Sequence, residues 1–166
     1  MNDTNPLKKI KLTNPIHFLA VGLGSGLSPK APGTFGSIAA IPLWLLFYQL
    51  PEIEYGILLI LTSVLGIYLC DKTAKAMGVH DHGSIVFDEF VGMWITLWLI
   101  PSFHWGWILA AFLFFRFFDI LKPWPIGWFD KKVDGGVGIM IDDIWAGIFA
   151  ATCLWATGNL WSYFMT

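Results

Sequence analysis

Charge is scarce in this chain. Charged residues make up 13% of its 166 positions, about half the share that wets the surface of an ordinary soluble domain. Lys and Arg number 10 against 12 Asp and Glu, a net charge of −2, which excludes an ordinary nucleic-acid binder and a polycationic membrane-surface protein. Cysteine is nearly absent: Cys70 and Cys153, each inside an apolar run, cannot build a disulfide scaffold or a thiolate zinc site. There is no Gly-Lys-Ser/Thr phosphate loop, no Cys-x5-Arg loop after Cys70, no serine nucleophile elbow and no His-rich phosphatase pattern. Covalent catalysis through Cys, Ser or His therefore has little support, which leaves carboxylates with a metal. Apolar residues are what the chain has instead, at 56%, with a mean hydropathy of +0.64. That content excludes disorder. It predicts an all-α, multihelical integral membrane protein, folded as a single domain over 1–166.

Uncharged stretches run over 12–29, 31–51, 55–70, 90–115 and 144–166, and a spanning helix takes about 20 residues. The first is interrupted by Gly22, Gly24, Ser25, Gly26, Ser28 and two prolines. It predicts a short N-terminal interfacial helix followed by a loop. Its short apolar core, with no small-x-small site after it, argues against a signal peptide. In the 90–115 run, Pro101-Ser102-Phe103-His104-Trp105-Gly106 reads as a turn, leaving either one kinked span or a hairpin over 86–119. The distribution of cations chooses the hairpin. With Lys8, Lys9, Lys11 and Lys30 cytoplasmic and crossings near 34–50 and 55–70, Lys72 and Lys75 return inside. The hairpin then returns Arg116, Lys122, Lys131 and Lys132 as well, whereas a single span would export all four. The expectation is about five membrane helices plus the interfacial one. Every carboxylate except Glu52 and Glu54 then faces the cytoplasm, although 86–100 and 105–119 are short for full spans. Most of the ten tryptophans fall toward helix ends, as interfacial anchors do.

Two acidic pairs, Asp88-Glu89 and Asp142-Asp143, each precede an apolar run. One acid at a helix start needs no explanation beyond the macrodipole and capping, about 0.3–1 kcal/mol. Adjacent acids point about 100° apart, and an ionised acid at a membrane boundary is costly unless paired or bound to a metal. Together with Asp119 they suit a hard divalent cation such as Mg²⁺, Mn²⁺ or Ca²⁺; both readings stay open. Arg116 and Asp119 are i,i+3 neighbours, so Arg116 serves an intrahelical pair or a phosphate. Lys122, before Pro123, either ends a helix or meets a phosphate, and Pro125 predicts extended chain. The stretch Gly24–Ser37 joins flexible glycines and hydroxyls to a helix start. It fits an anion site, or Thr34 as a simple N-cap. Asp134-Gly135-Gly136-Val137-Gly138 reads as a turn before the last helix, and His80-Asp81-His82 as a polar loop rather than a ligand set.

Four ordered blocks, covering about residues 15–150, carry a resemblance. They are Gly24-Ser25-Gly26 with Ala31-Pro32-Gly33-Thr34-Phe35-Gly36-Ser37, then Ile85-Val86-Phe87-Asp88-Glu89-Phe90-Val91-Gly92, then Phe115-Arg116-Phe117-Phe118-Asp119-Ile120-Leu121-Lys122-Pro123-Trp124-Pro125-Ile126, and finally Gly135-Gly136-Val137-Gly138-Ile139-Met140-Ile141-Asp142-Asp143-Ile144-Trp145-Ala146-Gly147. The set closely resembles the phosphatidylglycerophosphatase A family. The resemblance implies a multi-pass, Mg²⁺-dependent lipid phosphatase of the bacterial inner membrane, its active site facing the cytoplasm. Its substrate would be phosphatidylglycerophosphate in the bilayer, and its product phosphatidylglycerol.

Residue roles are assigned from chemistry. Asp88, Glu89, Asp142 and Asp143 are the metal candidates, and Asp88, Asp119 and Asp143 the catalytic ones. Gly33, Thr34, Ser37, Arg116 and Lys122 are the phosphate-binding candidates. The alternative is a small transporter or channel with cation-binding carboxylates; against it, the acids gather at one face rather than at mid-depth. The topology is testable. Cysteines placed at Ser102 and at Lys131 should react with impermeant thiol reagents from opposite sides, and labelling from one side removes the hairpin.

Overall fold

Short polar caps and prolines set the helix starts. Asn14 accepts a hydrogen bond from the Ile16 backbone N–H and precedes Pro15, beginning α1 (Pro15–Ala20), where proline lacks only a donor that the first turn would leave unused. A 3-10 segment, Gly22–Leu27, follows. Pro32 then starts α2 (Pro32–Trp44), and α3 spans Glu52–Met77. Gly78 stops α3 at φ +73°, a left-handed value suited to glycine, while Lys9 Nζ donates to the Met77 carbonyl at 2.9 Å. After α4 (Phe87–Trp98), His104 accepts from the Gly106 N–H at 3.0 Å and opens α5 (Trp105–Leu121). Two more follow, α6 (Ile126–Lys132) and α7 (Gly135–Met165).

This computed structural model describes residues 5–165, the side chains of Asp130, Lys131 and Met165 excepted. The side chain of Lys131, counted above among the cytoplasmic cations, thus lies outside what the structure describes. Among them there is no strand, and the all-α expectation holds. The short N-terminal helix is α1, and the 86–119 run divides into α4 and α5 around the turn at 99–104.

α7 is the axis, packed against α3, α4, α5 and α6, while α2 lies on α4 and touches α5. Two helices among the described residues are long and apolar enough to cross a membrane, Glu52–Met77 and Gly135–Phe164. α2, α4 and α5 have 13, 12 and 17 residues. One face of α3 is apolar and open, with Ile53, Ile57, Ile60, Leu61 and Val64 all more than half exposed. Such a surface calls for an apolar surrounding.

Four local expectations are corrected. The helix expected over 34–50 is α2, which begins at Pro32 and ends at Trp44; its cap is Ala31 in a left-handed conformation, so Thr34 is no N-cap. The chain after Pro125 is helical rather than extended, because Ile126 is buried and Phe129 stacks on Trp145 at 5.8 Å, which holds α6 on α7. The glycines at 135–138 form the first turn of α7 rather than a turn before it. A Cβ at Gly136 would strike the Ile67 carbonyl, so what that glycine provides is close approach to α3. Asp142 and Asp143 consequently lie about two turns inside α7, beyond the reach of the helix dipole.

α4 and α7 meet through glycine. A Cβ on Gly147 would stand 2.6 Å from the Gly92 carbonyl oxygen, and the Thr96 hydroxyl donates to that oxygen at 3.0 Å. Gly147→Ala should therefore separate the helices and cost about 1–3 kcal/mol, read as a lower unfolding temperature in detergent. At Gly56 the corresponding contact is an ordinary 3.4 Å, so Gly56→Ala should be neutral or slightly stabilising.

Candidate active site

The glycine-rich stretch before α2 acts through packing. Val86 N–H donates to the Ala20 carbonyl at 2.9 Å. Cβ atoms at Gly22, Gly26 and Gly36 would each come within 3.0 Å of the Val86 side chain. These glycines form a cradle for Val86, and the Ser25 and Ser28 hydroxyls donate to the nearby Gly22 and Lys30 carbonyls. Within the stretch 24–37 expected as an anion site, Gly26 and Gly36 help to seat a valine in this structure. Seating Val86 fixes the start of α4, and with it Asp88 and Glu89 in the first turn.

α4 and α7 bring three acids together. One carboxylate oxygen each from Asp88, Glu89 and Asp143 lies within 4.8 Å of the others. Asp88 and Asp143 are 8% and 3% exposed. Asp88 Oδ1, Glu89 Oε2 and Asp143 Oδ1 are buried without a hydrogen-bond partner. Gly92 makes the meeting possible, since a Cβ there would press on Phe115 and stand 2.7 Å from the Asp143 carbonyl oxygen. Gly92 and Gly147 were not picked out from sequence as site determinants. Their signal was a glycine one turn on from each pair, three residues after Glu89 and four after Asp143.

The other candidates flank this cluster. Asp119, on the last turns of α5, pairs with Arg116 at i,i+3 and lies beside Asp143. Arg116 also donates to Ser37 Oγ at 3.5 Å, while its Nε is buried with no partner. Ser37 Oγ donates to the Gly33 carbonyl at 2.8 Å. Gly33 rests on the cluster: a Cβ there would collide with Glu89 Oε1 and lie 3.2 Å from Arg116 Nη1. Thr34 shares this first turn of α2.

Lys122, which ends α5 as a C-cap with φ 42°, reaches Asp142 Oδ2 at 2.5 Å. Asp142 thus meets a lysine and stands outside the three-acid group. A small cavity of about 50 Å³ beside it is lined by His80, Asp81, Gly138 and Ile139. His80 Nε2 meets Asp134 Oδ1 at 2.8 Å, so the His-Asp-His loop is tied to the start of α7. The larger cavities, about 650 and 320 Å³, have none of the candidate residues in their walls.

Charge decides what the cluster can do. Around the five carboxylates of residues 88, 89, 119, 142 and 143, Arg116 pairs with Asp119 and Lys122 with Asp142. Asp88, Glu89 and Asp143 have no ion pair among the described residues. A buried ionised carboxylate without a counter-charge costs several kcal/mol. Orphaned oxygens converging from two helices fit a hard divalent cation in number and kind. Arg116, with its unfilled donor, and Gly33 at the start of α2 border the cluster at Glu89, and a guanidinium there suits an anion.

Comparison with known proteins gives a consistent picture. The sequence model of the phosphatidylglycerophosphatase A family matches residues 18–157. A phosphatidylglycerophosphatase A of Escherichia coli K12 is 57% identical over 153 residues, covering 92% of this chain and 89% of the relative. Its namesake in Haemophilus influenzae is 58% identical over 159 residues, 94% of this chain and 96% of the relative. A protein of Bacteroides thetaiotaomicron, provisionally named a phosphatidylinositol-3-phosphatase, is 37% identical over 154 residues, 84% of this chain and 94% of its own. No solved structure gives a significant match.

The metal reading is testable without any reaction. Mn²⁺ titrated into purified protein, followed by electron paramagnetic resonance, should show a bound ion. Asp88→Asn and Asp143→Asn should each weaken it by roughly 100-fold, and Glu52→Gln should not. Wild-type affinity in both amide variants would mean that the acids hold no metal.

Proposed function

The chain belongs to the phosphatidylglycerophosphatase A family, and from that premise we propose that it hydrolyses the terminal phosphate of phosphatidylglycerophosphate, releasing phosphatidylglycerol and inorganic phosphate with Mg²⁺ as cofactor. The observation that carries the reading is the triad Asp88, Glu89 and Asp143, without an ion pair among the described residues, beside Arg116. A transporter has no support from the relatives, all of which bear the names of phosphatases.

Phosphoryl transfer asks a protein mainly for positioning and charge neutralisation. Asp88, Glu89 and Asp143 would hold the metal, which when bound neutralises phosphate charge and favours ionisation of water. Arg116, Ser37 and the first turn of α2, with Gly33 and Thr34, bind the phosphate oxygens. Gly33 keeps that turn free of a side chain that would push the phosphate away from Glu89. Lys122, drawn in by Asp142, provides a second positive group on the far side. Asp119, oriented by Arg116, takes the proton of the attacking water. The P–O bond to the lipid glycerol breaks, and the departing oxygen gains a proton.

The same reading places the site at a membrane surface. From Ile144 to Met165, α7 continues for about 33 Å at 1.5 Å per residue, close to the roughly 30 Å of a bilayer's hydrocarbon core. The acids preceding Ile144 would stand at its edge, where a lipid headgroup is found. We infer a single domain with about five membrane helices, the site on the cytoplasmic side of a bacterial inner membrane; α3 and α7 are full spans, and α2, α4 and α5 shorter ones.

Phosphate release from phosphatidylglycerophosphate in mixed micelles tests this. Release should need Mg²⁺ and stop with EDTA; release unaffected by EDTA would sink the metal-dependent mechanism. Asp143→Asn should lower kcat by about 100-fold or more, partly recovered by raised Mg²⁺, whereas Asp119→Asn, removing a base, should show no such recovery. Lys122→Ala should raise KM, and Lys122→Arg should keep part of the activity.

A further inference from the structure

At the end of the bundle away from the acids, a cavity of about 320 Å³ is lined by two groups of stacked aromatic rings and one carboxylate. In the first group Trp44 lies 6.0 Å from Phe103, and Phe103 lies 4.9 Å from Tyr48. In the second, Tyr55 and Trp98 stack at 5.8 Å, 9° from parallel. The carboxylate is Glu52, in the first turn of α3 and without an ion pair among the described residues. Trp44 is 1% exposed, with its indole beside the Tyr55 hydroxyl, which itself donates to the Trp94 carbonyl at 2.7 Å.

Each feature points to the same ligand chemistry. Aromatic faces attract an organic cation, and a nearby carboxylate adds full charge to that attraction. The volume is at the lower end for small-molecule sites, suited to a headgroup rather than a whole lipid. Apolar Leu46 and Ile53, 81% and 76% exposed, flank the segment that carries Glu52, a surface on which acyl chains can lie.

We propose that this cage binds the ammonium-phosphate headgroup of a zwitterionic bilayer lipid. Glu52 and the rings hold the ammonium. The site is separate from the phosphatase centre and does not depend on that assignment.

Native mass spectrometry of the purified protein, in detergent with equimolar phosphatidylethanolamine, phosphatidylcholine and phosphatidylglycerol of identical acyl chains, tests it. Ammonium lipids should be retained over phosphatidylglycerol. Glu52→Gln and Trp98→Leu should each weaken that preference roughly tenfold, while Glu52→Gln keeps wild-type phosphate release as a check on folding. Competition by soluble glycerophosphoethanolamine assigns the site to the headgroup alone; retention of lipid without such competition assigns it to a lipid anchored by its chains. Equal retention of all three lipids, or variants that bind as the wild type does, would overturn the proposal.

Discussion

Like charges held together away from water need a counter-charge, and the meeting of Asp88, Glu89 and Asp143 is the constraint on which the rest of this structure depends. Two of the acids come from α4 and one from α7, so the cluster exists only while those helices touch along their glycine faces. Arg116 and Lys122 are each already engaged by a neighbouring acid. The three remaining acids are grouped so that they could hold a metal ion.

The all-α class, the short α1, the division of 86–119 into two helices and the end of α5 at Lys122 were legible in the sequence. Apolar run length, prolines and charge gaps report directly on helix placement. Helix boundaries in glycine-rich segments were not legible. Gly135, Gly136 and Gly138 carry the chemistry of a turn, but α3 passes so close that only glycine fits, and tertiary packing makes them helical. The same competition governs Gly22, Gly26 and Gly36, where glycine-with-serine suggested an anion loop and the structure has a socket for Val86.

The candidate site was legible by residue type and less so by grouping. Two adjacent acids per helix already exceed what capping requires. Which of the four converge depends on helix rotation: Asp143 faces α4, while Asp142, one position and about 100° away, meets Lys122. The cage around Glu52 left no trace in the linear pattern. Its rings come from α2, α3, α4 and two connecting turns, and their tryptophans and tyrosines look like ordinary interfacial anchors until the fold assembles them.

The unequal lengths of the helices have a mechanical consequence. α2 and α4, at 13 and 12 residues, extend only about 20 and 18 Å, while α3 and α7 exceed the hydrocarbon thickness. In the five-span arrangement proposed above, a bilayer around the bundle would thin on the α2–α4 flank. Such thinning would dip the lipid surface toward the first turns of both helices, where Gly33 and Glu89 adjoin. Substrate phosphates would then be delivered by the curvature of the membrane itself, and a thicker or stiffer bilayer would act as a brake on turnover without touching the protein.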